Sequence, residues 1–277
     1  MDSGLISYIS SSDNGLMTIR FSSYSKRLIF SLLILPGISS TAVLAQKSLS
    51  GNLNQPKSHV VTINPDRVTV DDITGFNKGD TILLIQMQGV KITISPGYGS
   101  LQEKYGEPGM HEFLIISSVN VVPKEIIFSR NILKTYDFRG NIQIVRVPYF
   151  NSAIVTGTLS CDPWNPISKS GGVLALIIGR RLNLIANIDV SGNGFKGGKD
   201  AIGQGICYSG DPGSGNSYYN SSFSNAGFKG EGVANFTEFN QPLDPAYMKG
   251  FGANWNGGGG GNAKFSGGGG GSNLGAG

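Results

Sequence analysis

Between Val60 and Val190 the apolar residues come in short runs, and the intervals are filled with Gly, Asn, Asp and Pro. Runs of four to eight residues bounded by turn formers predict strands rather than helices. Val60-Val61-Thr62-Ile63 opens the series, and Val68-Thr69-Val70 follows the Asn64-Pro65-Asp66 turn. Residues 81–87 are apolar on both faces, which predicts a central strand of a sandwich or barrel. Residues 112–120, 125–128, 142–147 and 152–159 supply further strands. Gln143 to Val147 alternates polar with apolar positions, predicting one buried face, and Pro148 stops this strand or marks an edge. Residues 173–178 are apolar throughout, Arg180-Arg181 reads as a polar corner, and 182–190 alternates again. Two such strands predict a hairpin or successive edges of a β-solenoid.

Two places in this all-β pattern carry aromatic side chains on predicted loops. Tyr98 and Tyr105 lie in a stretch that holds Gly97, Gly99, Gly106, Pro108 and Gly109, and they are candidate ligand-loop aromatics. The alternative is that they pin the loop onto the sheet. Trp164, with Pro163 and Pro166 on either side, reads as a cap on the core at a domain boundary, with a carbohydrate-stacking role as the second reading.

From Ser191 onward the pattern changes: 26 of 87 residues are glycine, without the three-residue period of collagen. Gly194-Phe195-Lys196-Gly197-Gly198 returns as Gly227-Phe228-Lys229-Gly230-Glu231-Gly232, and 257–261 and 267–271 are five-glycine runs. Phe195, Phe228, Phe251, Trp255 and Phe265 punctuate the glycines, which argues for packing instead of a flexible linker. Close-packed glycine backbones order only when neighbouring segments satisfy one another's amides.

The N-terminal residues read as a leader. Arg20, Lys26 and Arg27 precede the apolar run 28–35, and Val43-Leu44-Ala45 offers small residues for cleavage between Ala45 and Gln46. Residues 1–16 form a polar prefix, so the leader proper is 17–45. Export permits a disulfide between Cys161 and Cys207, the only two cysteines. A net charge of +4 without a basic cluster gives no case for nucleic acid. His59 and His111 have no ligand spacing around them, and Asp66, Asp71, Asp72 and Asp80 do not make a dense calcium loop, so no metal or cofactor is expected. No nucleophile elbow occurs, and the carboxylates Glu103, Glu107, Glu112 and Asp137 have no distinctive spacing, so no catalytic residue is expected. Asn220-Ser221-Ser222 and Asn235-Phe236-Thr237 match the glycan-acceptor pattern.

The segments GDTILLIQMQG (79–89), QIVRVPYF (143–150) and 171–198, with the later glycine runs, resemble large secreted surface proteins of the Bacteroidota that are often exported by type IX secretion. The resemblance implies an adhesive or structural role at the cell surface. It implies no catalytic residues, and because no sorting domain follows the last glycine run the chain reads as an N-terminal fragment. The sequence thus predicts a leader (1–45), an all-β sandwich or barrel-like domain (46–165), and a strand pair with a glycine-rich, solenoid-like or polyglycine-packed region (166–277). The expected function is a non-enzymatic cell-surface structural or adhesive protein, with a carbohydrate-active or carbohydrate-binding secreted β protein as the alternative. Expected partners are an extracellular glycan or surface protein and the export machinery, with no stable transmembrane segment once the leader is removed.

Overall fold

The computed structural model describes residues 6–7, 46–94, 99–201, 226–237, 239, 243, 249–262 and 266–272. The strands in chain order are β1 (Ile6–Ser7), β2 (Lys47–Asn52), β3 (Lys57–Asn64), β4 (Arg67–Val70), β5 (Thr81–Gln86), β6 (Val90–Thr93) and β7 (Ser100–Lys104). They continue with β8 (His111–Asn120), β9 (Glu125–Phe128), β10 (Ile142–Arg146), β11 (Tyr149–Ser160), β12 (Leu174–Ala175), β13 (Ile177–Leu184) and β14 (Ala234–Thr237), with a 3-10 turn at Phe138–Gly140.

Six antiparallel strands close into a barrel in the order β10-β3-β4-β9-β8-β5. Closure removes the unpaired edges that an open sheet would expose. Val60, Val68, Ile82, Leu84, Leu114, Ile116, Ile126, Ile142 and Ile144 fill its interior with Val70, Phe76 and Phe128. Each contributes about 1.5–3 kcal/mol of burial. The two-sided apolarity of β5 has a direct cause: Ile82 and Leu84 face the barrel core, while Leu83 and Ile85 lie beneath Val145, Val147, Val173 and Ala175.

A parallel sheet, β13-β11-β2, stands beside the barrel and joins Tyr149–Ser160 to Ile177–Leu184 and Lys47–Asn52. Its core is Leu49, Ala153, Val155, Leu159, Cys161, Leu174 and Ile178. A third sheet, β14-β6-β7, brings Ala234–Thr237 parallel to Val90–Thr93 at the barrel rim.

Several expectations change. Arg180 and Arg181 are not a corner, since β13 runs through them parallel to β11 with a shift of register between Ile178 and Arg181, which excludes a hairpin there. Gln143 is fully buried despite the alternating pattern, because its side-chain amide both donates to the Gly171 carbonyl and accepts from the Gly171 amide, each at 2.8 Å. Part of the predicted loop 98–110 is strand β7, exposed along its length and paired with β6. The β-solenoid is overturned: among the described residues past Ser191 the only strand is β14. The disulfide is overturned too. Cys161 is a free, buried thiol packed as a small apolar group in the parallel-sheet core, and Cys207 lies outside the described residues.

The glycine-rich segments bond main chain to main chain. Phe228 and Glu231 donate to Lys199 and Lys196, Gly227 and Gly230 to Gly261 and Gly258, and Gly258 and Gly261 to Gly270 and Gly267. Gly198 and Ala201 donate to Gly269 and Ser266, and Gly269 and Ser272 to Phe228 and Glu231. In every pair of segments the second bond falls three residues from the first. Segment 226–232 is bonded to 195–201, 256–262 and 266–272 and, through Gly250, to 249–252. The approach is close enough that a Cβ on Gly230 would lie 1.8 Å from the Gly270 carbonyl oxygen, and one on Gly269 would lie 2.0 Å from that of Gly258.

Candidate functional site

The end of strand β5 organises the barrel rim. The fully buried Gln86 donates from Nε2 to the carbonyls of Gln88 (2.8 Å) and Tyr105 (2.5 Å), and its Oε1 accepts from the Asp137 amide (3.1 Å). Three glycines make room for this side chain, since a Cβ on Gly89, Gly106 or Gly140 would come within 2.6 Å of a Gln86 amide atom. The neighbouring Gln88 reaches outward: its Nε2 donates to the Gly232 carbonyl at 2.7 Å, and its Oε1 accepts from Asn141 at 2.6 Å. Gly89 and Val90 both donate to the Val233 carbonyl. The glycine-rich chain is therefore fastened to the rim by main-chain and side-chain amides.

Where the two meet, a cleft of about 260 Å³ opens, lined by Gln88, Asn141, Lys169, Glu231, Asn235, Phe236 and Asn254 with Pro166, Gly232, Ala234 and Leu243. That volume lies just below the range usual for small-molecule sites, about 300–1,000 Å³. The side-chain oxygens Oδ1 of Asn235 and Asn254 are both buried and have no hydrogen-bond partner among the described residues. The orientation of Asn235 is fixed from its other end, where Nδ2 donates to the Arg139 carbonyl at 2.6 Å. Asn254 is 5% exposed. Buried amide oxygens are normally paired, and leaving one unpaired costs about 1–3 kcal/mol. Burial pushes the Glu231 carboxyl above its ordinary value, opposed by the hydrogen bond it accepts from the Lys196 amide at 3.0 Å. The wall offers neutral amides, one carboxyl, one ammonium and one phenyl ring, a set suited to a ligand bearing many hydroxyl groups.

The residues singled out from sequence fall differently. Tyr105 is 5% exposed and stands behind the cleft: its ring packs edge-on against Phe236 at 5.3 Å, with the Arg139 guanidinium 3.8 Å over its centroid. Arg139 is in turn paired with Asp137, whose carboxyl is held low chiefly by that hydrogen bond. Tyr105 supports the site and presents no ring face to a ligand. Trp164 is 1% exposed and meets Phe195 edge-on at 5.4 Å, tying the glycine-rich chain to residues that follow β11. Tyr98 and Ala45 lie outside the described residues, while the Gln46 side chain accepts from Asn183 at 3.0 Å. A shallow depression does sit beside the 98–110 segment, between Lys104, Glu107, Met110 and Lys134.

His59 is bonded to Asp71 and His111 to the Gly109 carbonyl. Asp66, Asp72 and Asp80 are engaged by Arg67, by the Thr74 amide and by Arg146. Among the described residues no group of His, Cys, Asp and Glu could hold a metal ion. No described helix is long and apolar enough to cross a membrane.

The residues that line the cleft escaped sequence reasoning because an isolated Asn in a Gly-rich stretch reads as a turn former. The one usable signal was Asn254-Trp255-Asn256-Gly257, a tight-turn pattern with an aromatic inside it.

The chain is an all-β protein containing a closed six-stranded barrel. No family model and no curated protein matches it. Among solved structures it is similar to the tailspike protein gp49 from Pseudomonas phage LKA1, at 13% identity and a TM-score of 0.23 over 43% of this chain and 21% of that one. It is also similar to the Gp54 tailspike of Acinetobacter baumannii bacteriophage AP22, a structure in complex with A. baumannii capsular saccharide, at 16% identity and a TM-score of 0.24 over 48% and 24%. The chain spans less than a quarter of either tailspike. The expectation that the chain is not an enzyme finds no support in these matches. Their TM-scores give no residue correspondence, and no catalytic residue is carried over.

Proposed function

We propose that the chain is an extracellular carbohydrate-binding β protein that holds a saccharide in the cleft between barrel rim and glycine-rich segments. The observation that carries this reading is the cleft itself, whose wall includes Asn235 and Asn254, each with a buried side-chain oxygen that has no partner among the described residues. A sugar hydroxyl in the cleft supplies the missing donor once either side chain turns its oxygen toward the ligand. Phe236 adds an apolar surface for its C–H face. The capsular saccharide in the Acinetobacter phage tailspike belongs to the same ligand class, but the reading rests on the cleft.

The glycine-rich region takes a supporting part in this proposal, as a bundle of extended three-residue helices that holds Glu231 and Asn254 rigidly. The three-residue recurrence of its main-chain bonds supports that reading, since an extended left-handed helix of this kind returns to the same neighbour every three residues. Export through the leader at 17–45 and kinship with Bacteroidota surface proteins belong to the same proposal and rest on sequence motifs alone.

Titration calorimetry of the full chain against neutral and acidic oligosaccharides tests the reading. Binding that is lost in Asn254→Ala and Asn235→Ala, with the fold retained by circular dichroism, supports it. Binding unaffected by both substitutions places any saccharide elsewhere and overturns the cleft assignment.

A further inference from the structure

Trp255 occupies the first of two residues that join Asn254 to Gly257. Those two residues bond each other in both directions, Asn254 N to Gly257 O at 3.0 Å and Gly257 N to Asn254 O at 3.1 Å. The φ of Trp255 is 61°, in the left-handed region, at a hairpin position that usually belongs to glycine. For a bulky side chain such a conformation is an outlier, and outliers of this kind cluster at ligand sites. Burial does not explain it, because Trp255 is 42% exposed while the other tryptophan, Trp164, is 1% exposed.

The turn is also locked. Asn256 Oδ1 accepts from the Val233 amide at 2.9 Å, and its Nδ2 donates to the Ser272 carbonyl at 3.0 Å. The backbone that carries the exposed indole is thus fixed from both sides, and the residue before it, Asn254, lines the cleft. An immobile, half-exposed aromatic next to a polar acceptor suits a sugar ring, whose C–H face packs on the indole while its hydroxyls reach polar groups. A preorganised platform spares the ligand the entropy of ordering a loop.

We propose that Trp255 is the stacking platform of a second sugar subsite beside the Asn235–Asn254 cleft, so that the chain binds a saccharide of at least two residues. The proposal rests on the carbohydrate reading of that cleft. Both tryptophans emit, so a change of emission on binding is assigned to Trp255 by its loss in Trp255→Phe, and the affinities of the variants are read by titration calorimetry.

The test titrates the full chain with the hexasaccharides of β-1,4-linked glucose, α-1,4-linked glucose and β-1,4-linked N-acetylglucosamine, and with their monosaccharides. The expected result is a shift of tryptophan emission with at least one hexasaccharide. Trp255→Ala should weaken that hexasaccharide tenfold or more and leave its monosaccharide unchanged, Trp255→Phe should recover part of the loss, and Asn254→Ala should weaken both. A hexasaccharide bound by Trp255→Ala with undiminished affinity overturns the platform and leaves the cleft reading standing. Failure of the unaltered chain to bind any of these sugars or any acidic oligosaccharide of the calorimetric test overturns both.

Discussion

Lys229 Nζ donates to the Gly250 carbonyl oxygen at 2.8 Å, and it also donates to that of Gly252, from a side chain that is only 2% exposed in the middle of the glycine-rich segments. Few lysines are buried so completely, and burial drives the ammonium down to about 7. A lysine held below its unfolded value of 10.5 makes the unfolded chain the better proton binder between those two values, so stability rises with pH across that window. Below about pH 7 the lysine is protonated in both states, and the full penalty is present. Thermal melts from pH 6.5 to 10 should therefore show a rising midpoint, and Lys229→Met should flatten that slope. A midpoint that falls over the same range would show the ammonium to be stabilised by its carbonyl partners more than burial penalises it.

Glycine substitutions separate packing from flexibility. Gly230→Ala places a methyl group 1.8 Å from the Gly270 carbonyl oxygen, whereas a Cβ on Gly267 meets nothing within 4 Å. Forcing apart two hydrogen-bonded segments should cost Gly230→Ala about 3 kcal/mol or more, at the severe end of single substitutions. Gly267→Ala should be neutral or stabilise by about 0.4–1 kcal/mol by restricting the unfolded chain. Equilibrium denaturation with amide exchange over 226–272 distinguishes the two, and equal effects would mean that the segments do not pack as described.

Gln86 is a second point of leverage. Gln86→Ala removes an amide that satisfies two carbonyls and one N–H at the rim and leaves a void among three glycines, which should cost about 3 kcal/mol. Because Tyr105, Asp137 and Gln88 all depend on it, saccharide affinity measured by calorimetry should fall along with stability.

The thiol of Cys161 is pushed up to about 11, first by burial and then by the neighbouring Asp162 carboxylate. Iodoacetamide at pH 8 should leave it unmodified in the folded chain and alkylate it after denaturation, as peptide mapping by mass spectrometry will show. Cys161→Ala should cost roughly 1 kcal/mol, on the scale of a few lost buried atoms.

At Trp255 the left-handed backbone costs an L residue about 1–2 kcal/mol. Trp255→Gly should raise the melting temperature while lowering affinity for oligosaccharides, since glycine meets the turn without strain. A lower melting temperature would indicate that the indole holds the turn in place.

The barrel was largely legible. Val60 to Ile63, residues 81–87 and Glu125 to Phe128 announce strands through β-branched runs between turn formers, and the two-sided apolarity of β5 follows from its sharing two cores. What escaped depended on contacts between residues far apart in the chain. Nothing near Gln143 shows that its amide will meet Gly171, and so the alternation rule fails there. Arg180 and Arg181 look like a corner because charge usually marks one, yet a strand at the edge of a sheet tolerates them. Cys161 resembles half of a disulfide only until its neighbours Leu49, Val155 and Leu159 are known. The cleft was least legible, because unpaired oxygens are defined by the absence of partners, which no linear pattern encodes.

The close approach of glycine backbones also bears on how such a chain can change over generations. Positions such as Gly198, Gly230, Gly268 and Gly269 admit no side chain, because each Cβ would fall within about 2 Å of a neighbouring carbonyl oxygen. Inheritable variety is closed at those positions and open where a side chain meets no neighbouring backbone, as at Gly267 and at the exposed turn residue Trp255. A frame that refuses alteration at its closest contacts can still carry a recognition surface that is free to diversify at the positions left open.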